Sequence, residues 1–332
     1  MDAWIRKNQP ALVLAPMEGV TDAPMRALLT EKPGFTHCVT EFLRISQIAL
    51  PKKCYRRHAV ELAKGSRTDS GVPVLFQLLG GNAERLALSA ARAVEMGATG
   101  IDLNFGCPAP TVNNHDGGAA LLKDPPRIEA IVKAVREAVP KEVSVSAKLR
   151  LGWDDINQIH ENAERAARGG ADWITIHGRT KTQGYMPPAY WGPIGEIRKN
   201  LSVPVVANGE IWTLDHFKLC REQTGCEHFM LGRGALANPE LAGQVARELG
   251  ILKAEAPAYP SAEEWRRLLE RFMDISEPLS DNPNYSVRRV KQWMRYVAAR
   301  APFPDFERVK TMQAHAEMKN LIQELRFPAL SH

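Results

Sequence analysis

Short runs rich in valine, isoleucine and leucine recur along the chain, their starts separated by roughly 25 to 45 residues, as parallel strands with crossover connections require. Several are apolar at nearly every position, which is typical of strands buried on both faces. These runs are Ala11–Met17, His37–Leu43, Pro73–Leu79, Gly100–Phe105, Val143–Leu149, Asp172–His177, Val203–Asn208 and His228–Leu231.

Between the runs, apolar residues repeat at helical spacing, as in Ala83–Met96, Ile128–Val139 and Ile159–Arg168. Strands alternating with helices predict an α/β fold, a (β/α)8 TIM barrel, over residues 1–255. The alternative is a doubly wound open sheet of the same elements. That fold would bring a GxGxxG fingerprint after its first strand, whereas Gly232–Ala237 matches it only in part and follows the eighth run.

The last part of the chain has a different pattern. Ala256–Ser261 is rich in proline and predicts a linker. Helical patterns follow at Ala262–Ile275, Ser286–Arg300 and Phe306–Leu325, without strand signals. We therefore expect an all-helical C-terminal domain over residues 256–332.

Polar residues lie where the predicted strands end, which is where barrels of this kind build their active sites. A lysine inside an apolar strand, Lys148, is the most informative of them, because burying an unpaired charge is costly. The loops after the seventh and eighth strands contain the glycines that often bind phosphate in such barrels. The strand-end residues are Pro16, Met17, Glu18, Glu41, Arg44, Gln77, Asn104, Cys107, Lys148, Arg150, His177, Arg179, Asn208, Gly209, Glu210, Gly232 and Arg233.

Cys107 follows the apolar run Gly100–Phe105 in the sequence Gly-Cys-Pro. A single thiol at the carboxyl end of a strand is a candidate proton donor or nucleophile. The alternative is a small buried cysteine without chemistry, which is the commoner situation. The segment Ala109–Gly118 contains proline, asparagine, aspartate and glycine, and it predicts a mobile loop.

Composition narrows the class of protein. The 332 residues are 44% hydrophobic and 24% charged, as in an ordinary globular enzyme. We expect no membrane segment, because no apolar run approaches the roughly 20 residues that span a bilayer. Five cysteines without CxxC spacing, and histidines without an HExxH motif, predict no disulfide framework, no metal site and a reducing cytoplasm.

Local charge is more informative than the net charge of +5. In the predicted helix Ser286–Arg300, Arg288, Lys291 and Arg295 share one side, and the sequence from Asn282 to Pro304 contains no acid. A second basic stretch contains Arg44, Lys52, Lys53, Arg56 and Arg57. Two such patches near one active-site mouth would suit an extended polyanion, although solvated basic faces are the simpler explanation.

Taken in order, the motifs resemble those of the tRNA-dihydrouridine synthases over nearly the whole chain. They are Leu14–Val20, Asn104–Pro108, Lys148–Arg150, His177–Thr180, Ala207–Glu210 and Gly232-Arg233. The segments Thr40–Phe42, Arg150–Asp154, Asn208–Trp212 and Val290–Trp293 most resemble the bacterial branch of the family that is associated with uridine 16 of the tRNA D-loop.

The resemblance implies an FMN-binding barrel followed by a helical tRNA-binding domain. It implies flavin contacts for Pro16, Met17, Glu18, Gln77, Lys148 and His177. Asn208, Gly209, Glu210, Gly232 and Arg233 would hold the phosphate end of FMN, and Cys107 would donate a proton. NADPH or NADH would be the reductant, and a cytoplasmic monomer is expected. The implied tRNA contacts are Arg44, Asn104, Arg179, Tyr185, Arg288, Lys291, Gln292 and Arg295.

One departure from the family pattern follows Cys107. Family members often carry a basic residue two or three positions beyond the Cys-Pro pair, where this chain has Pro110 and Thr111.

Two other functions remain open at this stage. One is a flavin barrel oxidoreductase that acts on a free small molecule such as dihydroorotate or a pyrimidine. The other is a tRNA-binding protein that keeps the fold without the chemistry.

Overall fold

Eight parallel strands close into a barrel in this computed structural model, which describes residues 4–46 and 50–327. The strands follow one another in sequence order, and the last pairs with the first. They are β1 Ala11–Leu14, β2 His37–Arg44, β3 Val74–Leu79, β4 Gly100–Phe105, β5 Ser144–Arg150, β6 Trp173–His177, β7 Val205–Asn208 and β8 His228–Leu231. The predicted TIM barrel is confirmed.

Helices cover the outside of the barrel and form the C-terminal region. The barrel helices are α1 Ala23–Glu31, α2 Lys52–His58, α3 Ala83–Glu95, α4 Pro110–Asn113, α5 Pro125–Ala138, α6 Gln158–Arg168, α7 Gly192–Asn200, α8 Leu214–Thr224, α9 Arg233–Ala237 and α10 Leu241–Glu248. The C-terminal helices are α11 Ala262–Ser276, α12 Tyr285–Ala298, α13 Phe306–Thr311 and α14 His315–Glu324. Residues 1–3 and 328–332, the outer ends of the two predicted domains, lie outside the described residues.

The barrel interior is apolar at one end and polar at the other. Ala11, Leu75, Trp173 and Val206 pack together near the amino ends of the strands. Because side chains alternate between the two faces of a strand, the residues that follow on the inward face approach the carboxyl ends. There the inward side chains are polar, and they surround the mouth of the barrel.

The helical region packs against the barrel through α11 and α12. Trp265, Phe272 and Trp293 are buried between the two helices. The indole N–H of Trp293 donates to the carbonyl oxygen of Leu236 in α9 at 2.9 Å. The Arg289 guanidinium donates to the carbonyl oxygens of the β1–α1 loop and pairs with Asp22 at 2.8 Å. These contacts place one side of α12 at the mouth of the barrel.

The prediction of one continuous helix over Phe306–Leu325 is wrong. The helix stops at Thr311 and α14 begins at His315, with Met312 in an extended conformation (ψ 140°). The Asp305 carboxylate accepts hydrogen bonds from the backbone N–H and the side chain of Arg326. This pairing requires the end of α14 to return to the start of α13, which one straight helix would prevent.

Candidate active site

Cys107 lies in the loop after β4, at the mouth of the barrel. The side-chain oxygen of Asn104 accepts hydrogen bonds from the backbone N–H groups of Gly106 at 3.0 Å and Cys107 at 2.9 Å. Burial raises the pKa of the Cys107 thiol above its ordinary value, and the opposing charges of Arg150 and Lys148 do not cancel this effect. The thiol is therefore protonated at neutral pH, as a proton donor must be.

The loop that follows packs back onto Cys107. The side-chain amide of Asn113 and the N–H of Ala119 both donate to the carbonyl oxygen of Cys107, at 3.3 and 3.0 Å. Gly118 has φ +60°, and a Cβ there would lie 2.8 Å from the same carbonyl oxygen. Only glycine fits this position without displacing Cys107. Pro110, part of the departure from the family pattern, is the first residue of α4.

A chain of buried polar groups lies beneath Asn104. The Asn104 amide nitrogen donates to the side-chain oxygen of Gln77 at 2.9 Å. The Gln77 amide nitrogen donates to the Asp102 carboxylate at 2.6 Å, and the Ser146 hydroxyl donates to the same carboxylate at 2.5 Å. Because a carboxylate only accepts, Asp102 determines which way the two amides point.

Positive charge is concentrated on the neighbouring part of the wall, on β5 and β6. Lys148 donates to the side-chain oxygen of Asn208 at 3.3 Å, and burial lowers the pKa of Lys148 to about 8. Burial first, and then the charges of Arg150 and Lys148, hold the pKa of His177 well below its usual range, so its imidazole is neutral. The buried Nδ1 of His177 has no hydrogen-bond partner among the described residues, which leaves it available to a ligand.

The loops after β7 and β8 complete the mouth. Gly209 has φ +115° and Glu210 φ +58°, so the chain turns sharply at the end of β7. The Glu210 carboxylate pairs with the Arg179 guanidinium. Arg233 begins α9, and its guanidinium lies 4.9 Å from the ring centroids of Tyr185 and Trp212. Backbone turns and cations of this kind suit a phosphate group.

These side chains enclose one pocket of about 940 Å³. This volume is within the roughly 300–1,000 Å³ of small-molecule and cofactor sites. Gln292, Arg295 and Tyr296 of α12 form part of its wall, so both regions of the chain contribute to the pocket. The barrel residues that line it include Pro16, Met17, Glu18, Gln77, Asn104, Cys107, Lys148, His177, Tyr185, Asn208, Gly209, Glu210, Gly232 and Arg233.

The model of one protein family, described as dihydrouridine synthase (Dus), matches residues 13–327, nearly the whole chain. The chain belongs to the dihydrouridine synthase family. The membership that the sequence motifs predicted is thereby confirmed.

Curated relatives in this family cover almost the full chain. A protein of Haemophilus influenzae is 43% identical over 94% of this chain and 99% of its own length. One from Escherichia coli O157:H7 is 46% identical over 86% of this chain and 88% of its own length. One from Neisseria meningitidis serogroup B is 39% identical, over 96% of this chain and 95% of its own length. All three are named tRNA-dihydrouridine(16) synthase.

Among solved structures, histamine dehydrogenase from Rhizobium sp. 4-9 resembles this chain with a TM-score of 0.55 and 15% identity. The likeness covers 83% of this chain and 50% of that one, and it shows a shared fold alone.

The predicted RNA contacts are spread more widely than the residues of the pocket. Arg295 and Gln292 line the pocket itself. Arg288 is exposed and lines a neighbouring cleft of about 550 Å³, which Gln292 also lines. Lys291 and Arg44 are half-buried and line neither cavity.

Arg179 does not reach the surface, although the sequence predicts it as an RNA contact. Its side chain is 0% exposed, because it lies beneath the loop that carries Tyr185 and donates from Nε to the carbonyl oxygen of Met186 at 2.7 Å. In this structure Arg179 orients that loop and Glu210, and it has no surface for a direct contact with RNA.

Two further polar residues near the pocket, Arg150 and Asp102, have no role in the predictions from the sequence, although Arg150 is one of the polar residues at the strand ends. Arg150 lines it and donates to the carbonyl oxygens of Gly106, Thr180 and Gly184, so it joins the two loops at the mouth. Asp102 lies below the pocket and is 1% exposed. An acid inside the apolar run Gly100–Phe105 is the same kind of signal that identifies Lys148 on β5.

No helix in residues 4–46 and 50–327 is long and apolar enough to cross a membrane. Within the same residues, the structure contains no group of three acidic, histidine or cysteine side chains that could hold a metal ion.

Proposed function

We propose that this chain reduces a uridine of the tRNA D-loop, uridine 16, to 5,6-dihydrouridine, using FMN that NADPH re-reduces. The observation that carries the proposal is a protonated, half-buried Cys107 thiol on the wall of a cation-rich pocket, in a chain that belongs to this family. The position on the tRNA follows from the names of the relatives, and NADPH follows from the family resemblance alone.

The residues present fit a flavin mononucleotide. The unpartnered Nδ1 of His177 is a buried polar atom that needs a ligand. The turns after β7 and β8, with Arg233, suit its phosphate. When bound and reduced, FMN supplies a hydride. The residues proposed to hold it are Pro16, Met17, Glu18, Gln77, Lys148, His177, Asn208, Gly209, Glu210, Gly232 and Arg233.

The chain's own residues handle the uracil and the proton. Hydride addition at C6 of the uracil leaves negative charge on C5 and O4, and a proton at C5 completes the reduction. The Cys107 thiol gives that proton, and the raised pKa keeps the thiol protonated until then. The Lys148 ammonium would offset negative charge on the reduced cofactor, and Asn104, which lines the same pocket, would contact the base.

The RNA binds across the boundary between the two proposed domains, 1–255 and 256–332. A base inside folded tRNA cannot reach a barrel mouth while stacked, so the uridine is flipped into the pocket. Arg288, Lys291, Gln292 and Arg295 of α12, with Arg44 and Tyr185 of the barrel, contact the RNA. Cations on the pocket wall favour a polynucleotide over a free pyrimidine. We further propose that the protein is a cytoplasmic monomer.

The test is incubation of unmodified tRNA with the protein, FMN and NADPH, followed by mass spectrometry of nuclease fragments. A gain of two hydrogens confined to the D-loop fragment containing uridine 16 is expected. Reduction of free uracil or orotate without tRNA would overturn the RNA assignment. Binding of tRNA by a chain that takes up no FMN would overturn the chemistry.

A further inference from the structure

The Asp102 carboxylate is a buried charge for which the proposed reaction has no direct use. It is 1% exposed and lies inside the barrel, one level below the pocket. Two donors hold it in place, the Ser146 hydroxyl at 2.5 Å and the Gln77 amide at 2.6 Å. Neither donor carries a charge. A buried carboxylate without a compensating cation is strongly unfavourable, so we expect a positive charge near Asp102.

The candidate for the compensating cation is Lys148, which forms no direct salt bridge with Asp102 but extends from the adjacent strand. In the register of β4 and β5, Asp102 lies opposite Ser146 and Asn104 lies opposite Lys148. Side chains two residues apart on a strand share a face, so Asp102 and Lys148 both point into the barrel, on adjacent strands. Lys148 is the charged group that acts on Asp102. The other ionisable groups that interact with Lys148 are Arg150, Cys107 and His177, and of these three only Arg150 is charged at neutral pH. Of the ionisable groups that interact with Lys148, only Asp102 is a carboxylate.

Lys148 needs such a partner, because its surroundings oppose its charge. Burial and the positive charge of Arg150 lower the pKa of Lys148 to about 8, and the Asp102 carboxylate acts in the opposite direction. Burial raises the pKa of Asp102 to about 6, against the two hydrogen bonds and the charge of Lys148. Between pH values of about 6 and about 8, the Asp102 carboxylate and the Lys148 ammonium are present together, and the titration of each group affects the other.

We propose that Asp102 is a positioning residue that acts as the buried counter-ion of Lys148 and keeps it an ammonium at neutral pH. The importance of that ammonium for catalysis rests on the proposed function, whereas the ion pair does not. Asp102 acts through Lys148, and the Gln77 amide separates it from the pocket.

The experiment follows the titration of Lys148 in the full-length protein, free of flavin and tRNA, by NMR of ¹³C-methylated lysines. The Lys148 resonance is identified by its loss in Lys148→Arg. Asp102→Asn keeps the shape of the side chain and removes its charge, so the pKa of Lys148 should fall by about one unit, a tenfold change in the ratio of ammonium to amine. An unchanged Lys148 pKa in Asp102→Asn would overturn the proposal.

Ser146→Ala is the matched control, because it removes a hydrogen bond to the same carboxylate and leaves the charge. The pKa of Lys148 should then move much less. An equal fall in both variants would show a structural disturbance and refute the counter-ion role. In the holoprotein, the alkaline limb of the pH profile for tRNA reduction should shift to lower pH in Asp102→Asn alone.

The wild-type protein provides a test that does not depend on a variant that folds. Because the two groups are linked, the Lys148 resonance should show a second inflection near pH 6, as Asp102 becomes protonated. A titration with one inflection would contradict the pairing. None of these NMR outcomes depends on whether tRNA is the substrate, so a failed RNA assay and a failed ion pair are distinguishable.

Discussion

Cys107 differs from most of the other cysteines in where its sulfur lies. Cys38, Cys220 and Cys226 are buried in the hydrophobic core, whereas Cys107 lines the pocket. The sequence predicts this difference, because Cys107 alone follows an apolar strand in a Gly-Cys-Pro segment. The state of the thiol could not be predicted in the same way. Burial raises its pKa, whereas Arg150 and Lys148, which the neighbouring strand β5 brings close, act in the opposite direction.

Replacing Cys107 by alanine should separate binding from chemistry. We expect Cys107→Ala to bind FMN as the wild type does and to reduce tRNA at least about 100-fold more slowly, because a positioned acid contributes 10²- to 10⁴-fold. The measurements are flavin fluorescence on titration and single-turnover assays. Cys226→Ala, near the amino end of β8 and away from the mouth, is the control. Wild-type turnover in Cys107→Ala would rule out this thiol as the proton donor.

Arg179 shows how a residue prediction fails without tertiary structure. An arginine that follows a strand end in a barrel is reasonably assigned to an anionic substrate. In the fold, the loop from Arg179 to Trp191 covers this side chain, and Glu210 from the next strand end pairs with it. Both facts depend on how β6 and β7 lie side by side, which spacing along the chain does not reveal.

At the scale of elements, the segment between α4 and α5 depends on glycine at one position. Gly118→Ala should destabilise the protein by about 1–3 kcal/mol and slow tRNA reduction, because a Cβ would press on the carbonyl oxygen of Cys107. Gly250→Ala is the matched control, since Gly250 also has a positive φ (+74°) but nothing within 4 Å of its Cβ position. Urea unfolding and the single-turnover rate should distinguish the two. Equal rates would show that this segment does not position the thiol.

The basic side of α12, formed by Arg288, Lys291 and Arg295, should affect tRNA binding and not the reduction of bound FMN. Arg295→Ala should weaken tRNA binding and reduce the salt dependence of binding by about one counterion, because it removes one phosphate contact. Reduction of bound FMN by NADPH should be unchanged. Lys319→Ala on α14 removes the same charge from the same region, away from the pocket. If Arg295→Ala and Lys319→Ala bind tRNA equally well at every salt concentration, the basic side of α12 faces solvent and does not contact RNA.

The helices of the C-terminal region show what periodicity can and cannot predict. Val290, Met294 and Val297 are fully buried, as their spacing on α12 predicts. The break between α13 and α14 was not predicted, because the apolar pattern continues through Met312. The break is stabilised by Asp305 and Arg326, which are far apart in the sequence and meet only in the folded domain.

At the scale of the whole molecule, Arg289 joins the helical region to the barrel. Its side chain is 8% exposed, pairs with Asp22 and donates to the carbonyl oxygens of Gly19 and Val20. Arg289→Met should cost about 3 kcal/mol of stability, because it leaves a partly buried carboxylate and two carbonyls without their partner. Arg271→Met, which removes an exposed pair with Glu31, should cost less than about 1 kcal/mol.

Urea unfolding of both variants checks this prediction, and tRNA binding gives a second readout. Because Arg289 holds α12 against the β1–α1 loop, its loss should also weaken tRNA binding, whereas the loss of Arg271 should not. Equal unfolding midpoints for the two variants would mean that Arg289 contributes no more than an exposed ion pair to the contact between the helical region and the barrel.

The sequence by itself determined the barrel, the helical addition and the residues at the strand ends. Buried parallel strands need continuous apolar runs, and the connections of βα units need a regular spacing. The runs and their spacing can both be recognised in the sequence. Only the tertiary structure decided the interactions among these residues. Strand register places Asp102 and Lys148 on adjacent strands of the barrel interior. The burial of Arg179 and the position of α12 beside the pocket likewise depend on how the elements pack. These arrangements involve residues that are distant in the sequence, so local sequence patterns do not predict them.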